Sequence, residues 1–198
     1  MSPRTLGSME LTARQTELAD AALAVIADAG LPGLSFRAVA ARAQCSLGSV
    51  QKAFPSKERM LAAAFGRLRE RSVPLPDGEP GRPTVREWFV ELLLRILPLD
   101  DERRAAQRQG DAFAQHALDD PDLASAIASS DAHLRSLLAS LVARARSEGE
   151  VGAHVDPDVT AWAVLAVAQG LAAQLLYDPE PEDTVRARLD VALAALLR

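Results

Sequence analysis

SFRAVAARAQCSLGSVQKAF, residues 35–54, is the stretch whose reading decides the fold. Ser35 is placed to cap a short helix from Phe36 to Ala43 with Val39 and Ala40 on its inner side. Gln44, Cys45 and Ser46 interrupt it, and Ser46 caps a second short helix from Leu47 to Ala53. That helix stops where Phe54 precedes Pro55, because the residue before a proline is pushed out of the helical region. A short helix, a three-residue turn and another short helix read as a helix-turn-helix. Such a pair lays its second helix in the DNA major groove while the first crosses the backbone.

Outward from this stretch the pattern stays helical. Thr12 and Gln15 form a capping box, and Leu18, Ala22, Val25, Ile26 and Ala29 recur at helical spacing until Gly30, which predicts a helix over 13–29. Ser56 opens a fourth helix through Met60, Leu61, Ala64, Phe65 and Leu68. Residues 1–11 lack periodicity and read as a mobile arm, and the four prolines and two glycines between Val73 and Pro83 mark a domain boundary or a long loop. Beyond it, Thr84 with Glu87 opens a helix over 84–97, and helices follow at 101–118, 121–147, 157–177 and 182–197. The expected fold class is all-α with about nine helices: an N-terminal three-helix helix-turn-helix DNA-binding domain, about 1–58, and a C-terminal regulatory and dimerisation domain, 59–198.

Composition agrees. Alanine and leucine supply 67 of 198 residues, whereas valine, isoleucine and threonine total 23, a balance that favours helix over sheet. Residues 1–71 carry a net charge of +4 and residues 72–198 one of −9, so an anionic partner is expected for the N-terminal third only. A single cysteine, Cys45, excludes an intramolecular disulfide and a zinc cluster, and no apolar signal region is evident near the start, which reads as an intracellular, cytoplasmic protein. The apolar run from Trp162 to Tyr177 is interrupted by Gln169, Gly170 and Gln174 and is shorter than the roughly 20 residues of a membrane span, so no membrane partner is expected. His116 and Asp120 have metal-ligand spacing without a third ligand, so neither a metal nor a cofactor is expected.

From Arg14 to Phe65 the sequence resembles the TetR family of transcriptional regulators. The resemblance rests on Ala29-Gly30, on Leu34-Ser35-Phe36-Arg37-Ala38-Val39-Ala40, on Cys45-Ser46-Leu47-Gly48-Ser49-Val50 and on Phe54-Pro55-Ser56-Lys57-Glu58. The remainder, with Leu97-Pro98-Leu99-Asp100 and Gln169-Gly170-Leu171, resembles the BetI-type C-terminal domain. Three positions depart from the family pattern: Gln44 stands where glycine is usual, in a turn that favours left-handed geometry, Gln51 where tyrosine is usual, and Ala53 where an aromatic residue or histidine is usual. Gln44 is therefore expected to be mildly strained, and Gln51 and Lys52 to replace the phosphate contact of the tyrosine.

Residue chemistry assigns the DNA-binding set. Ser46, Leu47, Gly48 and Ser49 open the recognition helix, where base edges are met. Arg37 has the bidentate fork that suits guanine O6 and N7, while Ser35, Gln51, Lys52 and Lys57 suit phosphates. Each cation taken singly reads equally as a solvated surface charge, and Cys45 as a small buried turn residue. The resemblance further implies a homodimer, formed here through helices 157–177 and 182–197, and a pocket for a small apolar effector. Candidate pocket residues are Trp88, Phe89, Leu92, Phe113, Leu137 and Trp162 as walls and Gln109, His116 and Gln169 as polar contacts; the aromatic residues could also be plain core. The implied protein is a ligand-responsive regulator, best read as a repressor, that binds a palindromic double-stranded operator and catalyses nothing. The rivals are an all-helical enzyme and a protein-binding adaptor with a helix-turn-helix-like N-terminus.

Overall fold

A computed structural model describes residues 11–70 and 84–198, so nearly all of the expected N-terminal arm and the proline-rich break at Val73–Pro83 lie outside the described residues. Among these there are nine helices and no strand: α1 (Ala13–Gly33), α2 (Phe36–Arg42), α3 (Leu47–Ala53), α4 (Lys57–Glu70), α5 (Val85–Ile96), α6 (Asp101–His116), α7 (Pro121–Ser147), α8 (Pro157–Tyr177) and α9 (Glu182–Leu196). The expected all-α class is observed. Gly30 sits at φ 65°, so the helical path of α1 breaks where the sequence placed its end, and one more turn runs on to Gly33.

The described chain forms two compact units, residues 11–70 with Ala105–Ile127 and residues 84–104 with Ala128–Arg198. The division between these units cuts through α6 and α7. The first unit is built around α1, whose Leu18, Ala19, Ala22 and Leu23 are fully buried. Val39 of α2, Val50 of α3, Phe54 and Met60 of α4 join them in one core. Phe113 of α6 belongs there too, its ring 5.1 Å from that of Phe65. Two neighbouring α6 side chains also donate to α1 carbonyls: Arg108 Nε to Ala27 O at 3.0 Å and Gln109 Nε2 to Leu23 O at 2.9 Å. Spacing within the sequence could not have assigned the middle of α6 to the first unit, because these contacts span more than 80 positions.

In the second unit, Phe89, Leu93 and Leu97 share a core with Leu189 and Leu193 of α9 and with Val164, Ala168 and Leu175 of α8. α8 is 21 residues long and, by length and composition, apolar enough to cross a membrane. Its bounds are those the sequence predicts, and its first turn carries Asp158 and Thr160 ahead of the apolar run from Trp162. Its inner side carries Ala161, Val164, Leu165, Ala168, Ala172 and Leu175 buried against the protein's own core.

Asp100 caps α6. Its carboxylate accepts from the Arg103 backbone N–H at 2.8 Å and from Arg103 Nε at 2.9 Å. The backbone bond, then the guanidinium charge, hold its pKa below the ordinary 3.8. A carboxylate depressed in the folded state stabilises fully above its unfolded pKa and loses that contribution as pH falls through the folded one. Asp100→Ala should therefore cost about 1 kcal/mol in denaturant melts at neutral pH, and the difference from the parent should shrink as the medium is acidified below the ordinary carboxylate range.

Candidate nucleic-acid interface

Neither α2 nor α3 exceeds seven residues, so each needs help at its ends. Ser35 Oγ accepts from Ala38 N at 3.1 Å and Ser46 Oγ from Ser49 N at 3.2 Å, as the N-cap reading expects. Ser46 and Ser49 also share a hydroxyl bond of 2.9 Å. The turn between them is a Schellman closure. Cys45 N donates to Ala40 O at 2.9 Å and Gln44 N to Ala41 O at 3.3 Å, with Gln44 at the left-handed position, φ 50°. α7 ends in the same way, Glu150 N to Ala145 O and Gly149 N to Arg146 O, but with glycine at the left-handed position, φ 77°. The strain expected at Gln44 thus has a structural basis.

The expected DNA-binding residues lie together on this helix pair and at the start of α4. Ser35, Arg37, Ser46, Gly48, Gln51, Lys52 and Lys57 are exposed, and Leu47 and Ser49 are half-buried, while Val39 and Val50 between them are buried. Charge separates the cations of this surface into two kinds. Arg42 is occupied by Asp28 at 2.8 Å, and Arg67 of α4 by Asp20 and Glu70. Arg37 and Lys52 form no ion pair among the described residues, Lys57 stands beside the Glu58 carboxylate, whose pKa it helps to lower, and Lys52 and Lys57 are the only two lysines of the chain. Arg37 in the first turn of α2, Lys52 in the last turn of α3 and Lys57 at the start of α4 make a surface suited to a polyanion.

The comparisons agree with that geometry. Residues 18–64 match the family model described as bacterial regulatory proteins, tetR family, and residues 85–198 that of the C-terminal domain of BetI-type transcriptional repressors. The chain belongs to the TetR family. The transcriptional repressor KstR of Mycolicibacterium smegmatis is 32% identical over 154 residues, covering 76% of this chain and 71% of the relative. The nicotine-responsive repressor HdnoR of Paenarthrobacter nicotinovorans is 26% identical, covering 84% and 85%. A crystal structure of a transcriptional regulator from Rhodococcus sp. Rha1 superposes with a TM-score of 0.77 at 28% identity, over 94% of this chain and 96% of that one.

In this TetR-family regulator the expected effector residues are divided between the two units. Gln109 and Phe113, buried and one turn apart on α6, lie in the first unit with the half-buried His116, whose Nε2 is 4.0 Å from Asp120. Phe89 and Leu92 are core residues of the second unit, where Trp88 meets Phe89 edge-on and Leu137 is half-buried. Trp162 and Gln169 face outward on α8. No group of three or more metal-ligating side chains occurs among the described residues. The sequence reading missed Arg14 and Gln15, which the structure sets against α3; Gln15 Nε2 donates to Ala53 O at 3.0 Å. Their place in the first turn of a capped helix carried no sign of the distant partner.

Gln44→Gly should stabilise the protein by about 0.5–1 kcal/mol, since relief of the left-handed penalty outweighs the extra backbone entropy of glycine. The shift is read from the midpoint of denaturant unfolding, and an unchanged or lowered midpoint would show that the turn is unstrained.

Proposed function

We propose that the protein is a ligand-responsive transcriptional repressor that binds a palindromic operator as a homodimer and works in the cytoplasm. The observation that carries this reading is the capped helix pair with Arg37 and Lys52 exposed and outside any ion pair among the described residues, and Lys57 exposed at the start of α4. Its DNA-binding module takes about 1–58, with α3 in the major groove, Ser46 to Ser49 and Arg37 at base edges, and Ser35, Gln51, Lys52 and Lys57 at phosphates. The remaining residues, 59–198, form the regulatory and dimerisation module. The mechanism is conformational linkage, with no covalent step.

The outer side of α8 supports the dimer. Val159, Trp162, Ala166, Gly170, Ala173 and Tyr177 are exposed, three or four positions apart, and so form one stripe. Val159 is 63%, Trp162 62% and Tyr177 77% exposed, and Val191 of α9 is 72% exposed. A second copy across a twofold axis would cover such a face, with small alanines and Gly170 allowing close approach. The other side of the helix is not free: Ala161, Leu165, Ala168, Ala172 and Leu175 are buried within the protomer, and Leu171 packs half-buried on its core.

The effector is a small molecule with an apolar body and one or two hydrogen-bonding groups. Gln109 supports this, because its Oε1 is buried without a hydrogen-bond partner among the described residues, a condition that costs about 1–3 kcal/mol and that a ligand donor would relieve. Phe113, one turn away, supplies an apolar neighbour. The nicotine-responsive relative supports an organic effector. Such a ligand acts only through different affinities for the DNA-competent and DNA-incompetent states.

Two experiments test the reading. In salt titrations of operator binding, Lys57→Ala should weaken binding to every duplex alike and lower the salt slope by about one, whereas Arg37→Ala should lose about 1–3 kcal/mol of discrimination at one base pair. Failure of the parent protein to select any duplex from a random pool would defeat the repressor reading. In sedimentation, Trp162→Glu should convert dimer to folded monomer, and a parent protein that is monomeric at micromolar concentration would defeat the dimer.

A further inference from the structure

A cleft of about 420 Å³ opens between the first turn of α1 and α3, lined by Thr12, Arg14, Gln15, Ser49, Lys52 and Ala53. Its walls are fastened together. Gln15 Oε1 accepts from Thr12 N at 3.0 Å, and Gln15 Nε2 donates to Ala53 O at 3.0 Å, so one side chain holds the start of α1 against the end of α3. The charged groups of the lining are both cations. Lys52 is exposed and has no ion pair among the described residues, and Arg14 is held by Glu17 at 2.6 Å, an exposed pair that contributes little in water and can exchange partners. Ser49, half-buried and sharing a hydroxyl bond with Ser46, adds a hydroxyl to the lining.

We propose that this cleft is a seat for a DNA backbone phosphate, held between Arg14 of α1 and Lys52 of α3. The inference rests on the DNA-binding reading and extends it to a helix outside the helix-turn-helix. Two positive groups with a hydroxyl and no lining carboxylate select an anion. Because Ser49 and Lys52 stand on the helix that enters the groove, the anion within reach is the strand bordering that groove rather than a free solute. Arg14 leaves Glu17 for the phosphate, so Glu17 acts as a competitor that weakens binding at rest. Gln15 is a positioning residue, touching no phosphate itself.

The test compares the parent, Arg14→Ala, Lys52→Ala, Glu17→Gln and the double variant Arg14→Ala/Glu17→Gln on the selected operator and on a scrambled duplex across a salt series. Arg14→Ala and Lys52→Ala should each weaken both duplexes several-fold by the same factor and lower the slope of log affinity against log salt by about one. Glu17→Gln should tighten binding, a gain that misfolding cannot produce, and the gain should vanish in the Arg14→Ala background. Arg14→Ala with the parent's affinity and slope, or a Glu17→Gln gain that survives the loss of Arg14, would overturn the cleft while leaving the repressor reading intact. A parent protein that binds no duplex at low salt would overturn both.

Discussion

Burial of one face of α1 is the constraint on which the DNA-facing surface depends. Two helices of seven residues do not persist in water by themselves, since nucleation costs more than so few hydrogen bonds return. They exist here because Val39, Ala40, Val50 and Phe54 share a core with Leu18, Ala22, Leu23 and Ile26, each large apolar side chain contributing about 1.5–3 kcal/mol when removed from water. Polar links then fix the angles. The Arg67 fork reaches both oxygens of Asp20 at 3.1 and 3.3 Å, Arg42 reaches Asp28, and Gln15 reaches Ala53. Asp20 first and Glu70 second raise the pKa of Arg67 and so favour its charged form.

The turn at Gln44 shows local preference yielding to this packing. A left-handed residue must close α2, and the backbone bonds from Gln44 and Cys45 satisfy carbonyls that would otherwise be orphaned. At the end of α7 glycine fills the equivalent position, while at α2 a side chain that dislikes the geometry is tolerated. Val39 and Ala40 before the turn and Val50 after it are buried in one core, which holds the two helices that the turn connects. Local conflicts of this kind concentrate at functional surfaces.

Side-chain chemistry on the same helices divides labour by exposure. Cations in ion pairs across helices serve the fold, as Arg42 and Arg67 do; Arg37 and Lys52, which form none among the described residues, leave positive charge for a polyanion. On α8 the division is between two apolar faces. One is consumed by the protein's own core, and the other, from Val159 to Tyr177, stays in solvent.

The sequence by itself determined the helical class, the limits of α2 and α3, the caps at Ser35, Ser46, Thr12 and Thr84, and the strained turn, because each depends on residues within about five positions of one another. The residues for which residue chemistry and the family resemblance suggest DNA contacts lie on the helix pair and at the start of α4. Only tertiary structure decided the rest, and the reason is separation along the chain. Gln109 meets Leu23 across 86 positions and Gln15 meets Ala53 across 38, and neither pairing leaves a mark on local periodicity. For α8 the limit was different: a helix apolar on every side has no preferred face, so the sequence could say that too much surface was apolar but not which stripe α9 and α5 would leave in water.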